Sequence, residues 1–571
     1  MRSGVLSWSA ATAALVASGA VNSADLKPAV KVPPVRWSWT GGYFGAHVGG
    51  GYGQTSFSDP YGPSIYGDVV DTPVFLLGGQ IGYNWQKDRW VFGVEVDASG
   101  AASDGTNTCL AASGFVVSAN CNANPNVFIT GTGRLGYAFG PQGHTLVYLK
   151  GGVGWQRTQG DVVNNNEFHH KGRPNGWAPQ NATHFDYGRV GGTIGAGVEQ
   201  ALTPAWSVGL EYDYLWFDGL SVATPPTVQL PLAKVPANIT SLSSSYHIGK
   251  ISLNYHFDAD PRTAAWFDGP LYGTTPPVSA PPVAFTRGWS LESGTRFWLS
   301  RGRFQWDNGR DDLVSRLTYH KLDGIAGELF ERVDSPWGIF LKGNIGFGRF
   351  NNGNMNDEDW GIADNIAYSN TTSGQANGRF MYYTADAGYD FLRGTAFRVG
   401  GFMGWTYYGQ NSDATGCTQI ASSAPCRRQA VGGKTVIISQ DTDWNALRIG
   451  LSAETTLLDR WRVSADVAYL PWTDFQGRDN HLLRDLTYFS DQRGSGGGGV
   501  QVEGVLSYLI TNNFSLGVGA RYWAMWTPKH SDILPNQAQR EGSSPVALGV
   551  FPANYRMERW GTFLQASYKF D

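Results

Sequence analysis

The sequence predicts an all-β protein built from two antiparallel transmembrane β-barrels in tandem, of about eight and then about ten strands. Composition is the first reason: of 571 residues, 75 are Gly, 22 Trp, 26 Tyr and 29 Phe, while only 16% are charged. Such a glycine- and aromatic-rich mixture suits a membrane wall of strands. The second is that no stretch beyond the N-terminus offers the ~20 consecutive apolar residues of a spanning helix, so membrane insertion needs strands closed into barrels. The third is a period-two alternation recurring in segments of the ~9 to 11 residues that a tilted strand uses. A net charge of −4 argues against a nucleic-acid partner.

At the N-terminus, Arg2, the apolar run Val5 to Ala20 and small residues at Val21-Asn22-Ser23 read as a secretory signal peptide cut near residue 23. A proline-bearing lead-in follows at 24–35. The exported chain is expected in the outer membrane, with its lipids as partners.

The first barrel is expected over residues 36–258. Its clearest strand sets Trp206, Val208, Leu210, Tyr212, Tyr214 and Trp216 on one face and Ser207, Gly209, Glu211 and Asp213 on the other. Aromatics at both ends with aliphatics between suit lipid, and the polar face suits a small lumen. Eight segments fall near 40–53, 74–86, 89–99, 127–139, 144–157, 189–200, 205–217 and 245–257. Short connections alternate with the long ones at 54–73, 100–126, 158–188 and 218–244, the rhythm of periplasmic turns and external loops.

Residues 259–287 break the pattern with Thr274-Thr275-Pro276-Pro277 and Ala280-Pro281-Pro282, an extended spacer of semi-rigid character. A second alternating region, 288–571, yields about ten segments with long connections at 351–379, 410–442, 472–498 and 528–556. Even strand numbers return both termini of each barrel to the periplasm. Four cysteines fall in two close pairs, Cys109 with Cys121 and Cys417 with Cys426, each in a polar loop without a histidine cluster. In an exported chain these read as two loop disulfides, with free thiols as the alternative.

The chemistry lies in two polar clusters beyond strands of the second region, Asn354-Met355-Asn356-Asp357-Glu358-Asp359-Trp360 and Asp479-Asn480-His481. In an extended segment every second side chain shares a face, so Asp357 stands beside Asp359 and Asp479 beside His481. Both connections have the same parity and open on the same rim. A carboxylate holding one ring nitrogen makes His481 a candidate base for a water that facing carboxylates hold from the other side. A solvated acidic loop or a calcium site is the other reading of such oxygen-rich tips.

The segment Gly353 to Trp360 resembles the Gly-Asn-Met-x-Asp-x-Asp-Trp motif of omptins, ten-stranded outer-membrane endopeptidases, and Asp479-Asn480-His481 is similar to their later Asp-x-His. Leu299-Ser300 and Ser315-Arg316-Leu317-Thr318-Tyr319 are similar more weakly, and the resemblance covers roughly 288–571. It implies catalytic roles for Asp357, Asp359, Asp479 and His481: a water between Asp357 and His481 attacks the scissile carbonyl, Asp479 orients His481, and Asp359 supports Asp357. It implies a polypeptide substrate at the cell surface, no cofactor, no metal and no covalent acyl-enzyme. Gln305 and Gly477 fall where omptins that cut between basic residues carry acidic groups, so preference for Lys or Arg does not transfer. The lipopolysaccharide-contacting cluster has no counterpart around Trp405 to Gly409, so lipopolysaccharide dependence does not transfer either. The first barrel resembles small immunogenic, porin-like outer-membrane proteins of alphaproteobacteria, through Trp39-Thr40-Gly41-Gly42-Tyr43-Phe44-Gly45-Ala46 and the Tyr255 to Phe257 ending. The alternatives to a peptidase are a non-enzymatic surface barrel and, more narrowly, a small-solute channel.

Overall fold

The computed structural model describes residues 37–112, 117–140, 142–164, 182–203, 205–229, 233–257, 288–309, 313–363, 366–394, 396–421, 426, 431–457, 460–483, 488–528, 531–537 and 551–570. The expected signal peptide, lead-in and proline-rich spacer lie outside them. The described residues fall in one compact unit.

The first sheet contains β1 (Gly41–Phe57), β2 (Val69–Lys87), β3 (Trp90–Ser103), β4 (Thr106–Ala112), β5 (Val117–Phe139), β6 (Thr145–Asn164), β7 (Ala182–Ala201), β8 (Trp206–Ala223) and β11 (Ile239–His256), with β9 (Thr227–Gln229) and β10 (Ala233–Val235) as a separate small hairpin. Its order is β3-β2-β1-β11-β8-β7-β6-β5, and β3 pairs with β5 from Trp90↔Tyr137 to Gly100↔Val127, which closes a ring of eight. The strand β4 folds back on β5 as an outer hairpin. Leu77, Ile81, Val94, Val96, Leu149 and Val190 are exposed on the outer face, as a lipid-facing wall requires.

Inside this ring the small lumen is filled by charge pairs. Arg134 reaches Glu199 at 2.8 Å, Lys150 reaches Glu211 at 2.7 Å, and Lys250 reaches Asp97 at 2.9 Å and Asp213 at 2.6 Å. Glu95, Asp97 and Glu211 converge, but the amines of Lys150 and Lys250 already neutralise them. An eight-stranded barrel is just wide enough for its own side chains, and here they occupy it.

The second sheet contains β12 (Ser290–Asn308), β13 (Ser315–Asp334), β14 (Ile339–Ala363), β15 (Ile366–Arg393), β16 (Phe397–Ala421), β17 (Val436–Leu457), β18 (Trp461–His481), β19 (Tyr488–Ser495), β20 (Gly498–Leu509), β21 (Phe514–Trp526), β22 (Ser531–Gln537) and β23 (Phe551–Phe570). In the lower half β18 pairs with β20 and the ring runs through β21 and β23 to β12; in the upper half β19 and β22 take the places of β20 and β21. Either path gives ten strands among the described residues. Phe297, Leu299, Leu329, Leu341, Phe347 and Leu564 face outward, and the exposed Arg301–Asp323 ion pair lies toward the outer end from this apolar band.

The strands run past the band, so the two polar clusters expected in loops are on paired strands. Asp357 sits opposite Leu317 and Thr371, and Asp479 opposite Gln440 and Ser490. Hydrophobic alternation ends where lipid ends, whereas the backbone ladder needs only a neighbouring strand. Both expected disulfides are present, Cys109–Cys121 and Cys417–Cys426, with Cα separations of 5.9 and 5.6 Å.

The two barrels also share a wall. Val48, Phe75 and Ile251 of the first pack with Val463, Val467 and Val502 of the second, and Phe75 lies 4.8 Å from Tyr469.

Candidate active site

The site is built in the upper half of the second barrel above an aromatic floor. Trp298, Phe304, Trp306, Tyr319, Met355, Tyr408, Trp444, Phe475 and Tyr555 belong to one buried cluster lining the interior, with Phe475 and Tyr555 stacked at 4.2 Å. Because Met355 and Phe475 point inward, the period of two turns Asp357 and Asp359 inward on β14, and Gly477, Asp479 and His481 inward on β18. These strands lie on opposite sides of a ten-stranded ring, so the two pairs face each other across the mouth.

The second pair is in direct contact. Asp479 Oδ2 lies 2.7 Å from His481 Nε2, with Asp479 buried and His481 partly open. The other oxygen of Asp479 is buried without a hydrogen-bond partner among the described residues. Asp357 and Asp359 are half-buried.

One further side chain close to both pairs was not among the sequence candidates. Tyr319 on β13 is fully buried next to Met355, and its hydroxyl has no hydrogen-bond partner among the described residues. Burial holds this phenol well above its ordinary range, and the carboxylates of Asp479 and Asp357 raise it further. A neutral donor therefore stands in the field of both acidic pairs. Its only sequence signal was the weak similarity of the 315–319 segment.

Gln305 is not in the mouth. Its neighbours Phe304 and Trp306 point inward, and its own amide donates to Asp307 Oδ1 at 2.9 Å while its carbonyl accepts from Arg303 on the outer face. Gly477 does face the mouth, and a Cβ there would lie 2.7 Å from Gln492 Oε1 and 2.8 Å from the Phe475 ring. Neither position supplies a carboxylate to a pocket.

A pair of membrane barrels with apolar outer walls and charge-paired interiors defines an outer-membrane β-barrel protein. Residues 10–257 match the outer membrane protein beta-barrel domain and residues 338–545 match the omptin family. The chain is thus an outer-membrane β-barrel protein in which residues 338–545 match the omptin family, and Asp357, Asp359, Asp479 and His481 all fall within the matched stretch.

The first barrel is similar to the 31 kDa outer-membrane immunogenic protein of Brucella melitensis, at 27% identity over 254 residues, spanning 43% of this chain and 95% of that protein. Among solved structures, the outer membrane protease OmpT of Escherichia coli is similar at 14% identity and a TM-score of 0.39, covering 49% of this chain and 97% of that one. Neisserial surface protein A is similar at 13% identity and a TM-score of 0.18, covering 38% and 98%.

Proposed function

We propose that the second barrel is an endopeptidase that hydrolyses polypeptides at the outer surface of the cell. The observation that carries this reading is the Asp479–His481 contact of 2.7 Å on the inward face of β18, across the mouth from the inward Asp357 and Asp359 of β14. His481 takes a proton from a water held between it and Asp357, and the resulting hydroxide adds to the scissile carbonyl carbon. Asp479 fixes the ring and stabilises the imidazolium. Asp359 supports the charge and orientation of Asp357. As the tetrahedral intermediate collapses, the carbon–nitrogen bond breaks and the leaving amine takes up the proton. The neutral hydroxyl of Tyr319 is the donor available to the oxygen on which negative charge develops.

The test is cleavage of a broad peptide library by the refolded full chain. His481→Ala and Asp357→Ala are each expected to lower turnover by about 10²- to 10⁴-fold, the worth of a positioned acid–base group, without loss of barrel folding. Cleavage at the wild-type rate by a folded His481→Ala protein would refute the mechanism. Absence of cleavage by the wild-type chain would leave a non-enzymatic surface barrel.

A further inference from the structure

On β14 the residues that alternate with the inward carboxylates point the other way, toward the first barrel. Glu358, between Asp357 and Asp359, is fully buried. Its Oε2 accepts from Thr108 Oγ1 of the β4–β5 hairpin at 3.0 Å, and its Oε1 accepts from Tyr368 at 2.6 Å. Trp360 is also buried and donates from Nε1 to Ser118 Oγ of the same hairpin at 2.6 Å. One strand further, Arg316, directly opposite Glu358 in the ladder, donates to Thr108 Oγ1 at 2.8 Å and to Asn120 Oδ1 at 2.6 Å. Two more contacts extend the seam: Arg303 with Asp71 at 2.9 Å and Arg556 with Asp104 at 3.1 Å.

The hairpin is itself stiff, because Cys109 and Cys121 join its two arms. Above the lipid, the outer face of a barrel strand has only water to rest against, and an unsupported rim strand is free to flex. A hydrolytic constellation has to be held to within about 0.5 Å by surrounding groups. Here the back of the strand that carries Asp357 and Asp359 is held at successive outward positions by a cross-linked element of another barrel.

We infer that the outer β4–β5 hairpin of the first barrel is a buttress for the acidic strand of the peptidase, with Glu358 and Trp360 as positioning residues gripped by Thr108 and Ser118. This rests on the peptidase reading, and it makes hydrolysis by the second barrel depend on the first. The first barrel then has a task inside the molecule, as scaffold for its neighbour's site.

The experiment uses the full chain carrying Thr108→Val together with Ser118→Ala, both remote from the reacting atoms, with heat-modifiable gel mobility to confirm folding. The expected result is a kcat lower by about 10- to 10²-fold, the scale of a small misplacement of reacting groups, at little-changed KM. Amides of residues 354–360 are expected to exchange hydrogen faster than in the wild type. Thr108→Ser, which keeps the hydroxyl, is expected to behave as wild type. Should the double variant not fold, Ser118→Ala alone is read in the same way. Wild-type kcat and wild-type exchange in a folded variant would overturn the buttress. A wild-type chain that cleaves nothing overturns the peptidase and the catalytic half of this inference together, whereas unchanged exchange beside active wild-type enzyme overturns the buttress alone.

Discussion

At the scale of single residues, the mouth is a contest between carboxylates and the groups that keep them useful. Asp479 and His481 were legible in the sequence because a spacing of two on any strand puts them on one face, and the 2.7 Å contact is what that spacing yields. Gln305, aligned in the sequence with a pocket residue, is instead turned outward: Phe297 and Leu299 face lipid, and 301, 303 and 305 follow them. Tyr319 was not legible, since its place beneath both acidic pairs comes from pairing between strands, which no local pattern reports. Its buried hydroxyl without a partner leads to a specific expectation. Tyr319→Phe should lower kcat by about 10²- to 10³-fold, the cost of losing one oxyanion donor, with little change in KM. Steady-state kinetics on the folded variant decide it, and an unchanged kcat would remove the phenol from the reaction.

At the scale of elements, the membrane-spanning parts of the strands were easy to read and their outer extensions were not. Lipid imposes an apolar residue at every second position, which marks the segment in the sequence. Beyond the lipid β14 continues to Ala363 with outward residues as different as Glu358 and Trp360, chosen by a partner hairpin and not by a uniform solvent. That environment leaves a trace in titration. Burial pushes the Glu358 carboxyl up to about 7, with Arg316 acting in the opposite direction. Between the ordinary carboxylate range and pH 7 the folded chain therefore keeps a proton that the unfolded chain has released, so stability falls as pH rises through this window. Glu358→Gln is expected to flatten that slope. The pH dependence of the temperature at which the folded gel band is lost measures it, and an unchanged slope would contradict the assignment.

At the scale of the whole molecule, the two-barrel architecture and its approximate strand counts were legible, but the shared wall was not. The residues that meet across it, such as Val48, Phe75, Val463 and Val502, are the same types that face lipid, so the sequence has no mark for which neighbour each one has. Apolar contacts in the membrane combine with the polar seam above it. Cutting the chain within 259–287 in the folded protein is therefore expected to leave two fragments that co-purify in mild detergent. Fragments that separate without denaturation would show that the wall is too weak to hold alone.

The strand β23 pairs with β12 from Ala553 to Phe570 and closes the second ring, and the same strand carries Arg556, which bonds Asp104 of the first barrel and Asp307 of β12. The strand that closes the ring therefore also latches it to its neighbour, so removing β23 would open the barrel and take away part of the seam together.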